Sequence, residues 1–277
     1  MKHQAEACRK HVIKFSAFMN RNSNMPCCLK KKVMEAALLS AMLYASESWI
    51  TDGLKTVNQH YMAAVKLLLG VRRTTPHVLC LIEAGLPDLS SKILKRHCNF
   101  MTSFAQRTSQ DEPLAQALRL CAEANTDMYR RLMAAQNYVG DPEMLSRQTL
   151  QEECRRLAES ATRFSTYLSL NPSLTCHDVY VLISSTPDNL HKDFTRLRLS
   201  SHRLFVERGR WSRIPRERRV CDCDHESVQD ELHIALPCPR TQNVRDTHGA
   251  TYSSLDELFS SELNVPLVCH ELLKTFE

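Results

Sequence analysis

The sequence predicts a mainly α-helical protein, with a helical bundle body and a small C-terminal module. Long stretches are rich in Ala, Leu, Met and Glu, which are strong helix formers. Glycine is scarce, with 6 residues in 277, which disfavours glycine-dense β folds and Gly-rich phosphate loops. Hydrophobic residues make up 43% and charged residues 24%, as in ordinary globular proteins. The chain is therefore long enough for one large domain or two small ones.

The first strongly predicted helices lie before Gly70. The stretch from Val33 to Trp49 consists largely of helix formers. In the next segment, apolar residues recur at steps of three and four, which predicts a helix with one buried face; they are Leu54, Val57, Tyr61, Val65 and Leu68. Gly70 follows where a left-handed C-terminal cap is expected.

Two further helices are predicted between Thr75 and Phe104. Thr75 followed by Pro76 is typical of an N-cap with proline at the first helical position. This short helix is expected to stop at Gly85. The next helix is expected to start near Asp88.

The middle of the chain continues the helical pattern. Residues 111–139 have helical composition, with a break near Asn125. Asp141 followed by Pro142 repeats the cap-then-proline signature and predicts a helix to about Tyr167. We therefore predict a helical body over residues 1–170.

Residues 171–187 are the best candidate for a linker, since they hold two X-Pro pairs and several Ser and Thr residues. Within them, Val179 to Ile183 fits either a short strand or a buried helical turn. A second helical group is expected from Asp188 to about Ser200, and loop structure from Gly209 to Arg219. Residues 188–277 form the predicted C-terminal unit.

The net charge of +5 hides a strong division along the chain. Residues 1–32 and residues 192–219 each carry +7, residues 33–191 carry −1, and residues 220–277 carry −8. Basic segments attract phosphate backbones irrespective of sequence. The alternative is that they are solvated or pair with the acidic segment 220–277.

One group of cysteines has the composition of a metal site. Cys221, Cys223, His233 and Cys238 follow the pattern C-x-C-x9-H-x4-C. Thiolate and imidazole are the ligands that a tetrahedral zinc ion prefers, and we expect a tight turn for the first pair and a short helix carrying the histidine. The C-x-C spacing is tighter than usual, His225 is a rival ligand, and coincidence in a Cys-rich chain is the alternative.

The ten basic residues of segment 192–219, here called the arginine strip, directly precede this pattern. Guanidinium groups suit forked phosphate contacts and stacking on bases. The predicted contacts are Arg196, Arg198, Arg203, Arg208, Arg210, Arg213, Arg216, Arg218 and Arg219. Trp211 within the strip fits either base stacking or a core anchor for the metal module.

The C-terminal residues resemble the end of LINE-type (non-LTR) retrotransposon polyproteins. The resemblance rests on the segment RLRLSSHRLFVERGRWSRIP, the C-x-C pair, and the segment ELHIALPCP followed by Arg245. That family has an R-L-R-x-x-S-H…G-R-W-x-R-x-P run ahead of a zinc-knuckle-like motif. It places Glu-His before the last helix, whereas this chain has Glu231-Leu232-His233.

The N-terminal residues are similar to the region after the polymerase palm in the same elements. The matching words include HQAEACRKHVIKF, LLSAMLYASESW, LLLGVRRTTPHVLC and IEAGLPDLSSKIL. The resemblance covers about residues 1–105 and 188–245. It implies a thumb-like helical body in which Arg72 and Arg73 also meet a nucleic-acid backbone.

The resemblance does not extend to catalysis. Reverse transcriptases hold magnesium ions with paired carboxylates, and this sequence contains no Asp-Asp pair. The expected function is therefore non-catalytic binding of RNA or single-stranded DNA through the arginine strip and a zinc site. The alternative is a structural or protein-interaction remnant that binds neither metal nor nucleic acid.

The cysteine usage bears on the compartment. The sequence has no apolar stretch suited to a secretory signal or a membrane span, so we expect an intracellular protein, nuclear or cytoplasmic. Disulfides are then not expected. The cysteines outside the C-x-C-x9-H-x4-C pattern are expected to be thiols in or near the helical core.

Overall fold

A computed structural model describes residues 2–46, 54–107, 112–181, 186–261 and 264–277. Helices account for most of these residues, and the described part of the chain contains no strand beyond a single bridge between Val220 and Val228. The predicted mainly α fold is confirmed. No helix within the described ranges combines the length and apolarity needed to cross a bilayer.

The body comprises nine helices among the described residues. They are α1 (Lys2–Arg21), α2 (Cys27–Val33), α3 (Leu54–Leu69), α4 (His77–Ala84), α5 (Leu89–Arg107), α6 (Pro113–Glu123), α7 (Asp127–Gln136), α8 (Pro142–Ala158) and α9 (Thr162–Leu170). Helix α2 continues through a π-helical segment, Met34–Leu39, and a last turn, Ser40–Met42. The rest of the predicted helix, toward Trp49, lies outside the described residues.

The C-terminal unit contains six shorter helices in the described ranges. They are α10 (Asp188–Arg198), α11 (Phe205–Trp211), α12 (Glu231–Ala235), α13 (Gln242–Thr247), α14 (Leu255–Ser260) and α15 (Val265–Lys274). Short 3₁₀ turns occur at Asp178–Tyr180, Arg216–Arg218 and Pro239–Thr241. Helix α11 was not predicted, because its Gly209 and three charged residues are typical of a loop.

Most predicted helix ends are confirmed. Gly70 and Gly85 adopt left-handed conformations with φ of 67° and 60°. Asn125, at φ 45°, separates α6 from α7 as expected. The predicted start of α4 is wrong by one position, because Pro76 precedes the first helical residue instead of occupying that position. The helix from Pro142 is also shorter than predicted, since it ends at Ala158 and α9 follows.

The predicted linker is packed against the body. Leu174 and Tyr180 are buried in the main hydrophobic core, and Asn171 bonds to the backbone oxygen of Thr175 at 2.8 Å. The alternative of a short strand at Val179 is wrong, because this residue lies in a 3₁₀ turn. Residues 182–185 lie outside the description.

One hydrophobic core joins residues from both predicted units. It contains Leu68 of α3 and Leu79 of α4 together with Leu197 of α10, Ile234 of α12 and Leu272 of α15. Helix α10 packs closely against α15. A second, small cluster around Met101, Leu118 and Leu132 holds α5, α6 and α7 together. The domain boundaries themselves remain a prediction.

A buried ion pair lies inside the main core. The Glu83 carboxylate accepts hydrogen bonds from Arg198 Nε at 2.6 Å, from Tyr180 at 2.6 Å and from Tyr167 at 2.7 Å. Burial on its own raises the pKa of Glu83, but Arg198 and these hydrogen bonds outweigh it, so the pKa lies below its ordinary value. The network ties α4, α9 and α10 together.

Candidate metal centre and nucleic-acid interface

The first two candidate ligands lie on a tight turn, as predicted. The bridge between Val220 and Val228 brings the two ends of the turn together, and Cys221 N donates to the Ser227 carbonyl at 2.7 Å. The Cys221 side chain is fully buried, and Cys223 within the turn is partly buried. The turn therefore directs both thiols toward the interior of the module.

The other two candidate ligands are placed by helix α12. The Asp230 carboxylate caps this helix by accepting from His233 N at 3.0 Å. After the helix ends, Cys238 N donates to the His233 carbonyl at 3.0 Å. This bond holds the second half of the ligand set together, and both side chains are buried.

The four ligand atoms converge on one point. All lie within 4.8 Å of one another, with Cys221 Sγ 3.9 Å from Cys238 Sγ and Cys223 Sγ 3.1 Å from His233 Nε2. Zn–S bonds of about 2.3 Å in a tetrahedron place ligand atoms roughly 3.8 Å apart. A disulfide would need about 2.05 Å. The cluster therefore has the size and donors to hold a metal ion.

The electrostatics of the cluster also favour a cation. Desolvation and the neighbouring Cys221 and Cys238 thiols raise the pKa of Cys223 to about 12. A divalent ion reverses this effect, because it stabilises the thiolates that it binds. Gln229 Nε2 lies 3.8 Å from Cys221 Sγ and provides a donor to that sulfur.

A second layer of contacts fixes the last ligand. Arg245 donates to the Cys238 carbonyl at 2.9 Å and to Thr241 Oγ1 at 2.7 Å. Thr241 is fully buried and donates to the Ile234 carbonyl at 2.7 Å. Arg245, one of the residues on which the resemblance rests, thus stabilises the segment that carries the candidate ligands.

His225 does not belong to the cluster. Its side chain is exposed, and its backbone is left-handed with φ 58°. Among the described residues, the ligand set that converges contains His233 instead. Leu232, which separates Glu231 from His233 in this chain, does not disturb this set. His233 still lies five residues before Cys238, and Glu231 is buried and bonds to His202 at 2.7 Å.

Two arginines of the strip have structural contacts. Arg198 is only 2% exposed and pairs with Glu83, so its prediction as a phosphate contact is wrong. Arg219 is partly buried and donates to the carbonyls of Ile214 and Val206 at 2.6–2.8 Å. Its side chain crosses Gly209 so closely that a Cβ there would come within 2.7 Å of it.

The remaining strip arginines reach the surface. Three are in ion pairs with neighbouring carboxylates, namely Arg196 with Asp193, Arg210 with Glu207 and Arg216 with Asp230. Four are exposed and have no carboxylate partner among the described residues: Arg203, Arg208, Arg213 and Arg218. Arg73, which was predicted with Arg72 to contact a nucleic-acid backbone, is exposed as well.

Trp211 lies at the surface and not in the core. It is 56% exposed, so the core-anchor alternative is wrong. The guanidinium carbon of Arg72 lies 4.3 Å from its ring centroid, a cation–π contact. This contact joins the arginine strip to the segment that follows α3.

The same junction has a buried polar contact that sequence reasoning missed. Ser201 Oγ accepts from Arg72 N at 2.9 Å and from Thr75 Oγ1 at 3.1 Å. Ser201 and Thr75 are both buried. The only available signal was that these residues fall in the words RRTTP and RLRLSSH, which are distant in the sequence.

Comparison of the chain with protein-family models, with curated proteins and with solved structures found no match.

Proposed function

We propose that this chain binds RNA or single-stranded DNA without catalysing a reaction, and that it derives from the C-terminal region of a LINE-type reverse transcriptase. The contact between Arg72 and Trp211 is the observation that carries the proposal. It unites two basic segments, 72–73 and 203–218, that are far apart in the sequence. A set of exposed arginines with an exposed aromatic ring suits a single strand, whose phosphates and bases are both accessible.

Zinc is the ion that we propose for the Cys221, Cys223, His233 and Cys238 cluster, since thiolate and imidazole donors in a small tetrahedral set favour it. All four positions are filled by protein ligands, which is typical of a structural site. The ion would hold the turn at Cys221 against α12 and so fix the base of the arginine strip.

Salt dependence tests the proposed function directly. We expect the zinc-loaded chain to bind a fluorescent single-stranded RNA with salt-dependent affinity. A plot of log affinity against log salt concentration should have a slope of about −3 to −4, because the four strip arginines without a described carboxylate partner, together with Arg73, supply five phosphate contacts. Affinity should fall roughly a hundredfold between about 50 and 200 mM salt. Fluorescence anisotropy measures both quantities.

A matched pair of triple variants locates the interface. Arg208→Gln/Arg213→Gln/Arg218→Gln should reduce the slope by about 2. The control Arg130→Gln/Arg155→Gln/Arg156→Gln changes three exposed arginines of α7 and α8 and should leave the slope unchanged. Binding that ignores salt, or equal effects of both variants, would favour the structural-remnant alternative.

A further inference from the structure

A pocket of about 330 Å³ lies where the end of α3 meets α10, the turn at residues 201–204 and the end of α15. Three arginines line it, namely Arg72, Arg196 and Arg203. Two acidic residues, Asp193 and Glu277, line it as well. The pocket brings together charges from three separate stretches of the sequence.

The carboxylate of Asp193 is already engaged. It accepts from Arg196 NH1 at 2.8 Å and bonds to His270 Nδ1 at 2.7 Å. Arg196 Nε also donates to the Gly70 carbonyl at 3.0 Å, so this guanidinium is held in one orientation. One wall of the pocket is therefore a fixed cation whose own counter-ion is shared with a histidine.

The other two guanidinium groups are under-used. NH1 of Arg72 is buried and has no hydrogen-bond partner among the described residues. Burial lowers the pKa of Arg72, Glu207 opposes this, and the nearby Arg203, Arg163 and Arg196 lower it further. Arg203 is exposed and has no carboxylate partner in the described ranges. Arg72 and Arg203 thus bring positive charge to the pocket without an ion-paired carboxylate among the described residues, and a ligand that supplies anionic oxygens is favoured here.

We propose that this pocket binds a single phosphate group, which rests on the proposed function for its nucleic-acid source. Phosphate offers several charged acceptor oxygens to guanidinium groups on different walls. The pocket holds roughly ten times the ~30 Å³ share of one water, so a phosphate with its attached sugar fits. Trp211 does not line the pocket but contacts Arg72, which does.

The test uses inorganic phosphate with the full zinc-loaded chain. Calorimetric titration to about 20 mM, past the millimolar Kd of a weak anion site, should detect saturable binding. Arg203→Gln removes an exposed charge without a structural partner and should weaken binding about tenfold, the effect of one charged hydrogen bond. Arg156→Gln, which changes another exposed arginine, on α8, is the matched control and should bind as the parent does. Absence of saturable binding, or equal loss in both variants, overturns the proposal.

Oligonucleotides identify the source of the phosphate. A 5′-phosphorylated RNA that binds more tightly than its 5′-hydroxyl form, with the gain lost in Arg203→Gln, indicates a terminal monoester. Equal binding of the two RNAs, with both weakened more by Arg203→Gln than by Arg156→Gln, indicates an internal diester. Salt-dependent RNA binding by a chain that shows no saturable binding of inorganic phosphate refutes the pocket and leaves the proposed function intact. Saturable phosphate binding with no RNA binding supports the phosphate pocket and refutes the proposed function.

Discussion

At the scale of single residues, burial decides what each arginine of the strip does. Arg198 and Arg208 belong to the same basic run, yet Arg198 is buried against Glu83 while Arg208 is exposed. A buried guanidinium needs a counter-ion, because the cost of removing it from water is large. An exposed one keeps its hydration and remains available to a ligand. Only the second kind contributes to the proposed interface.

Arg198→Met should destabilise the protein by about 3–5 kcal/mol, since it leaves the Glu83 charge buried without a cation. The urea midpoint of unfolding measures this loss. Arg156→Met, on the exposed face of α8, is the control and should change stability little. Adding Glu83→Gln to Arg198→Met should recover part of the loss; a double variant as unstable as the sum of the singles would contradict the ion-pair account.

The same variant has a defined pH dependence. In the parent chain, the pKa of Glu83 is lowered, so its stabilising contribution is present at neutral pH and is lost as pH falls through the folded pKa. Without Arg198, burial should raise the pKa of Glu83, and protonation then relieves the penalty. The stability gap between parent and variant should therefore narrow from pH 7 to about pH 4.

At the scale of elements, helix ends position the surface that we propose for binding. Gly70 ends α3 in a left-handed conformation, and its carbonyl accepts from Arg196 of α10. A Cβ at this position would overlap the Lys192 side chain. The glycine therefore serves both the turn and the close approach of α10, and the turn presents Arg72 to Trp211.

Gly70→Ala should destabilise the protein by more than Gly249→Ala. Both glycines have left-handed backbones, with φ of 67° and 57°, so each substitution incurs about 1–2 kcal/mol of backbone strain. Only Gly70 has a neighbour within 4 Å of the added Cβ, and displacing Lys192 should cost about 1 kcal/mol or more in addition. Urea denaturation measures the difference, and equal losses would show that the helix contact is unimportant.

At the scale of the whole molecule, the segment that carries the candidate metal ligands packs into the main hydrophobic core. Ile234, Ala235 and Val244 share one hydrophobic cluster with Leu79 of α4 and Leu197 of α10. The buried pair of His202 and Glu231 adds a polar contact between α12 and the segment after α10. Removal of the proposed zinc ion should therefore destabilise the whole chain and not the cluster alone.

His233→Asn should abolish stoichiometric zinc and lower the melting temperature by about 10 °C in a single transition. This follows from about 4 kcal/mol of linkage at free zinc ~1,000-fold above Kd and about 2–4 °C per kcal/mol for a chain of this size. His225→Asn is the control, since this exposed, left-handed residue lies outside the cluster and asparagine tolerates its backbone. Metal analysis and calorimetry measure both variants; a separate low-temperature transition in His233→Asn would contradict a shared core.

Local signals predicted much of the fold and of the metal cluster. The three- and four-residue steps from Leu54 to Leu68 produced α3, and Gly70 and Gly85 ended their helices as left-handed caps. The predicted ligands Cys221, Cys223, His233 and Cys238 converge because all lie on one short turn-and-helix unit. Such features depend on neighbours in the sequence, where spacing and propensity carry the information.

Composition, helical periodicity and the ligand spacing were thus determined by the sequence alone. Tertiary structure alone decided that Arg198 is buried, that Trp211 is exposed, and that Arg72 joins Arg196 and Arg203 around one pocket. These outcomes depend on contacts between residues more than a hundred positions apart, such as that of Arg72 with Ser201. No local pattern encodes them, because the burial of a charge depends on which distant partner the packed core brings to it.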